Sequence, residues 1–92
     1  MAVIMVEELA GAGPEAAELI RRLGLLEKLR TAPGFLGHWS GTTSTGYRVV
    51  EVWDSAEAHQ AWYDGSVKPN LPPGMEPAPP TYVDVILEAR PS

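Results

Sequence analysis

Apolar runs and polar turns alternate along the chain on a spacing that resolves into six elements. Ala2-Val3-Ile4-Met5-Val6 is apolar on both parities, which suits a strand buried on two faces and predicts strand one over about 2–8. After the turn Leu9-Ala10-Gly11-Ala12-Gly13, Pro14 takes the place of a first helical residue, and Glu15 and Glu18 lie near the positive end of the helix dipole. Ala16, Leu19, Ile20, Leu23 and Leu26 then recur at helical spacing and form one apolar stripe, with Arg21 and Arg22 facing out. Leu25 and Leu29 fall off that stripe. Either Gly24 lets the last turns reorient, or these two leucines meet a partner chain.

Thr31-Ala32-Pro33-Gly34 ends the first helix, and Phe35 to Thr42 reads as strand two before the polar turn Thr43-Ser44-Thr45-Gly46. Tyr47 to Trp53 is β-branched and aromatic, so strands two and three pair as an antiparallel hairpin. Asp54-Ser55-Ala56-Glu57 has the form of a capping box with Asp54 as cap, predicting a second helix to about Asp64, stopped by Gly65. The stretch 68–80 is proline-rich and reads as an extended excursion, followed by strand four over about 81–89. The order is βαββαβ: an α+β, ferredoxin-like fold, with a four-stranded antiparallel sheet and two helices on one face. The other sheet face stays apolar and uncovered, which predicts sheet-to-sheet self-association into a homodimer.

Composition narrows the function. A length of 92 residues accommodates one domain, here 1–92, with the proline-rich part at about 66–80 as a lid or arm. Seven Lys and Arg against twelve Asp and Glu give a net charge of -5, and the arginines are scattered, which disfavours nucleic acid. The absence of cysteine removes disulfides, thiolate nucleophiles and cysteine-bound metal centres, and fits a cytoplasmic setting. The run Ala2 to Val6 is too short for a membrane span, so no membrane partner is expected. Neither an HExxH pattern nor a GxGxxG or P-loop motif is present, so metal and nucleotide cofactors are not expected.

Pro33-Gly34-Phe35-Leu36-Gly37-His38, together with Gly46-Tyr47-Arg48-Val49-Val50-Glu51-Val52-Trp53-Asp54-Ser55-Ala56-Glu57-Ala58, resembles the dimeric α+β-barrel superfamily, especially small proteins like the antibiotic biosynthesis monooxygenases. The resemblance implies a dimer whose sheets close into an α+β barrel, with a pocket between sheet and helices in each subunit. Activities it implies include cofactor-independent oxygenation of aromatic polyketides, cyclisation, isomerisation, dehalogenation and haem degradation, among which fold does not choose. The monooxygenases of that group resemble one another in a polar Asn, Trp, Tyr or Arg set around a phenolic substrate. Here the second helix has no asparagine, and Asn70 lies in the proline-rich segment.

Several side chains are candidates for chemistry. His38, on strand two, is either a hydrogen-bonded core group or a titrating acid or base. Trp39, flanked by Gly37 and Gly41, lies over bare backbone, either rescuing the glycines or forming a platform for a planar ligand. Ala58, Ala61, Trp62 and Gly65 form the stripe of the second helix, so that helix either packs close to the sheet or leaves a cavity walled by Trp62. His59 reads as a solvent-exposed helix residue or as part of a pocket rim shared with Trp62 or Tyr63. Arg48 either pairs with Asp84 or points inward to hold a carboxylate or enolate, and Tyr47, Tyr63 and Tyr82 are alternative proton donors. Leu71 and Met75 give the proline-rich segment apolar anchors over the pocket.

Together these features predict a homodimeric enzyme acting on a small hydrophobic, aromatic or polyketide-like molecule without metal, flavin or haem. Its catalytic residues are His38, Tyr63 and Arg48, and Trp39, Trp62, His59, Leu71 and Met75 bind substrate. The chemistry expected is proton transfer leading to cyclisation or isomerisation, or oxygenation. The alternative is a non-catalytic binding or accessory protein with the same pocket.

Overall fold

A computed structural model describes residues 1–74 and 76–92. Its elements run in the order β1 (Val3–Ala10), α1 (Glu15–Arg22), α2 (Leu25–Leu29), β2 (Phe35–Thr42), β3 (Gly46–Trp53), α3 (Ala56–Trp62) and β4 (Thr81–Asp84). The four strands form one antiparallel sheet in the order β2-β3-β1-β4, the ferredoxin-like arrangement expected from the element order. The helices cover one face.

Residue alternation separates the two faces. Toward the helices β1 presents Val3, Met5, Glu7 and Leu9, and β3 presents Tyr47, Val49, Glu51 and Trp53; all but Leu9 are buried. The core joins Val3, Met5, Tyr47, Val49 and Trp53 to Ala16 of α1 and Leu29 of α2. Met5 is fully shielded, a burial that stabilises by roughly 1.5–3 kcal/mol. The opposite face carries Ile4, Val6, Val50 and Val52, half-buried, with Trp39 and Val83 largely exposed.

Gly24 divides the first helical segment. Its φ of 69° is left-handed, so the chain turns there and α2 starts on a new axis that buries Leu25 and Leu29. The two leucines off the α1 stripe are therefore core residues of the same chain.

The second helix differs from its expected form at both ends. Ser55, not Asp54, is the cap, its Oγ accepting from the Ala58 N–H at 3.1 Å. After Trp62 the helix widens into a π turn, Tyr63–Val67, and tightens into a 3₁₀ turn, Lys68–Asn70, so Gly65 does not stop it. The buried face is accordingly His59 with half-buried Ala58, Trp62 and Tyr63, while Ala61 and Gly65 are exposed. Ala58 is where close packing occurs, because a Cβ on Gly34 would lie 2.8 Å from the Ala58 Cβ.

β4 is also shorter than the expected 81–89. Asp84 already pairs with Val3, and after the Val85 N–H donates to the Ala2 carbonyl at 2.9 Å little of the first strand remains to pair with. Ile86 and Leu87 are consequently 87% and 91% exposed.

Candidate active site

The sheet register lines up a row of side chains under the helices: His38 on β2, Glu51 on β3, Met5 on β1 and Tyr82 on β4. Adjacent strands bring opposite residues to roughly 5 Å, so the polar members of this row reach each other. The imidazole of His38 places Nδ1 2.7 Å from Glu51 Oε2 and Nε2 3.0 Å from Ser40 Oγ. Ser40 in turn lies 2.7 Å from the Tyr47 hydroxyl. The second oxygen of Glu51 accepts the indole N–H of Trp53 at 2.9 Å.

One set of proton positions satisfies all four groups. The Tyr47 hydroxyl donates to Ser40, Ser40 donates to His38 Nε2, and His38 Nδ1–H donates to an ionised Glu51, a tautomer inferred from the network. The His38 and Glu51 side chains are only 15% and 6% exposed, so the pair operates at reduced dielectric.

His59 lies on the other side of Glu51. It is fully buried rather than exposed on the helix surface, with Nδ1 2.7 Å from the Tyr82 hydroxyl and Nε2 3.5 Å from Glu7 and 3.9 Å from Glu51. Burial with partners on both ring nitrogens is what the polar row permits, and helical periodicity alone does not reveal it. The Trp53 ring packs edge-on against Phe35 and His59, at 5.4 and 5.7 Å between centroids, and near Trp62 at 6.5 Å.

A cavity of about 90 Å³ lies between this row and the helices. His38, Glu51 and Tyr47 form its polar wall, opposite Leu19, Ile20 and Leu26, and Trp62 and Tyr63 flank it. Val67, Leu71 and Pro77 cover it from the proline-rich side. Burial, then the negative charges of Glu7, Glu76 and Asp64, raise the Tyr63 phenol above its ordinary value. Tyr82 is raised by burial first and then by Glu7, Asp64, Glu51 and Glu57. Both phenols stay protonated at neutral pH, and that of Tyr82 donates to Gln60 Oε1 at 3.4 Å. Among the described residues, no three His, Asp or Glu side chains converge as metal ligands.

The cavity therefore brings together His38, His59, Trp62, Tyr63 and Leu71 of the residues singled out from sequence. Trp39 and Arg48 do not join them. Trp39 lies on the open sheet face, 63% exposed and stacked over Gly37, where a Cβ would come 2.6 Å from the indole. Arg48 is on the same open face and pairs with Glu8, not with Asp84. Both follow from strand parity, since they alternate with His38 and Tyr47. Met75 lies outside the described residues. Glu51, Glu7 and Tyr47 complete the polar wall, and Ser40, exposed to solvent, bonds to His38 and Tyr47 from outside it.

This geometry can be set beside known proteins. The sequence model for antibiotic biosynthesis monooxygenases matches residues 2–66, most of the chain. The chain belongs to the antibiotic biosynthesis monooxygenase family. A heme-degrading protein of Mycobacterium tuberculosis is similar at 26% identity with a TM-score of 0.63, over 98% of this chain and 100% of that one. SnoaB, a cofactor-independent oxygenase of Streptomyces nogalater, has the same fold at 16% identity and a TM-score of 0.66, over 95% of each chain. So does the monooxygenase ActVA-Orf6 of Streptomyces coelicolor, solved with nanaomycin D, at 21% identity and a TM-score of 0.58, over 99% of this chain and 92% of that one. No curated protein matches the sequence. Within the described residues of this family member, no helix is long and apolar enough to cross a membrane.

Proposed function

We propose that this antibiotic biosynthesis monooxygenase family member is a cofactor-independent oxygenase of small hydrophobic phenols or enols, with His38 as the general base. The observation that carries the reading is the His38–Glu51 pair on the polar wall of a cavity closed on its other side by Leu19, Ile20 and Leu26. Glu51 holds Nδ1, which leaves Nε2 to take a proton once a substrate hydroxyl displaces the exposed Ser40. Tyr63, kept protonated, donates to the substrate carbonyl, and Trp62 and Leu71 hold the ring. The carbanion form then bonds to dioxygen, and the resulting hydroperoxide loses water to leave a new carbonyl.

Ligand sites usually measure roughly 300 Å³ or more, so a ring-sized substrate requires the cover made by Val67, Leu71 and Pro77 to move aside. The open sheet face, with Trp39, Val50 and Val52, supports a homodimer. In it the exposed Ile86 and Leu87 gain cover from the partner.

Haem degradation, the activity of the mycobacterial relative, is not favoured by His59, the helical histidine, because both of its buried ring nitrogens face protein partners. A second reading, cyclisation or isomerisation by the same base, is favoured by the absence of asparagine from α3. The one asparagine, Asn70, is exposed and donates to the Ser66 carbonyl. Oxygen uptake on adding a panel of polycyclic phenols tests the choice. Uptake with a product 14 mass units heavier supports oxygenation (+O, −2H; order of the net change for CH₂ to C=O, about 14). An isomeric product without uptake supports the second reading, and binding without turnover makes the chain an accessory protein.

A further inference from the structure

Ser40, His38 and Glu51 stand in the relation that activates a serine. The base nitrogen is 3.0 Å from the hydroxyl, and its other ring nitrogen is 2.7 Å from a carboxylate. That carboxylate is itself fixed, because its second oxygen holds the Trp53 N–H at 2.9 Å. Burial is graded in the required direction: the Glu51 side chain is 6% exposed, that of His38 15%, and Ser40 is open to solvent. The geometry follows from strand chemistry. His38 and Ser40 alternate on β2 and so share a face, while Glu51 is directly opposite His38 in the register.

A fourth group completes the set. The Tyr47 hydroxyl lies 2.7 Å from Ser40 Oγ, on a buried phenol with little freedom to move. A donor held there also reaches an oxyanion that forms on a carbonyl bonded to Ser40. His38 and Tyr47 both line the cavity, so Ser40, bonded to both, stands at its rim.

We propose that Ser40 is the nucleophile of a second activity, hydrolysis of short-chain carboxylic esters. Ser40 Oγ bonds to the ester carbonyl carbon as its proton passes to His38 Nε2. The carbon–oxygen bond to the leaving alcohol then breaks, and the alcohol takes that proton. Water attacks the acyl-serine through the same base, releasing the carboxylic acid and restoring Ser40, so ester and water become acid and alcohol. The cavity of about 90 Å³, apolar beyond its polar wall, suits a small acyl chain. This activity shares His38 with the oxygenase reading but neither its substrate nor its product.

The test is covalent and does not depend on phenol turnover. The full chain is treated with an alkyl fluorophosphonate, which phosphonylates activated serines, and the labelled peptide is identified by mass spectrometry. The expected result is one adduct on Ser40, absent from Ser40→Ala and formed about a hundredfold more slowly in His38→Gln, with circular dichroism confirming that both variants fold. No adduct on Ser40, or an equal rate in folded His38→Gln, overturns the proposal. If phenols are not oxidised but Ser40 is labelled, the oxygenase reading fails and this one stands.

Discussion

The carboxylate of Glu51 holds the imidazole of His38 across adjacent strands, Oε2 to Nδ1 at 2.7 Å, while its other oxygen holds the Trp53 indole N–H. Two donors thus converge on one carboxylate, each on its own oxygen. An amide at that position has a single acceptor, so Glu51→Gln sets an NH₂ group against one N–H or the other. Leaving a buried donor unsatisfied costs about 1–3 kcal/mol. Glu51→Gln is expected to lower the urea midpoint accordingly, and Glu51→Asp to recover part of the loss.

The open sheet face yields a second expectation. Val50 pairs with Trp39 and Val6 on that face, amid apolar neighbours. Val50→Asp places a charge where a second sheet is expected to pack, which a buried interface tolerates poorly. Analytical ultracentrifugation at micromolar concentration is expected to give a dimer for the native chain and a monomer of unchanged secondary structure for the variant.

Gly46 tests the packing of the hairpin against the first strand. A Cβ there would fall 2.3 Å from the Leu9 carbonyl oxygen and 3.0 Å from the Gly11 nitrogen, both backbone atoms that cannot swing away. Gly46→Ala is expected to cost about 1–3 kcal/mol by thermal or denaturant unfolding. Gly41→Ala, whose Cβ meets nothing within 4 Å, serves as the control.

Alkaline stability reports on Tyr82. Its phenol is raised above 10.0 in the folded chain, by burial first and then by the surrounding carboxylates. The folded state therefore holds this proton longer than the unfolded state does. The associated stability is fully present below about pH 10 and is lost as pH rises through the folded value. Tyr82→Phe removes that dependence along with the bond to His59. The stability gap between native chain and variant is expected to stay constant up to about pH 9 and to narrow as pH rises above about 10 in urea titrations.

Much of this architecture was legible in the sequence. The apolar run Val3 to Val6, the stripe of α1 and the β-branched Val49, Val50 and Val52 fix the element order and the two sheet faces. Parity also placed His38 on one face and Trp39 on the other, though not which of them faces the helices. Register was the missing information. Periodicity says which residues share a face, not which residue lies opposite across a strand, so the meeting of Glu51 with His38 and of Tyr82 with His59 was hidden. His59 looked like a surface residue because a lone polar side chain on a helix usually is one. Its burial depends on acceptors from β1, β3 and β4.

The central claim is that His38 is the base of a small-molecule enzyme. It is tested most directly by kcat/KM for oxygen uptake with a turned-over phenol, measured for the native chain and for His38→Gln beside the dissociation constant of the same phenol. A loss of about 10²–10⁴-fold carried by kcat, with binding nearly unchanged, is the expected result. Equal kcat/KM in the folded variant would contradict it.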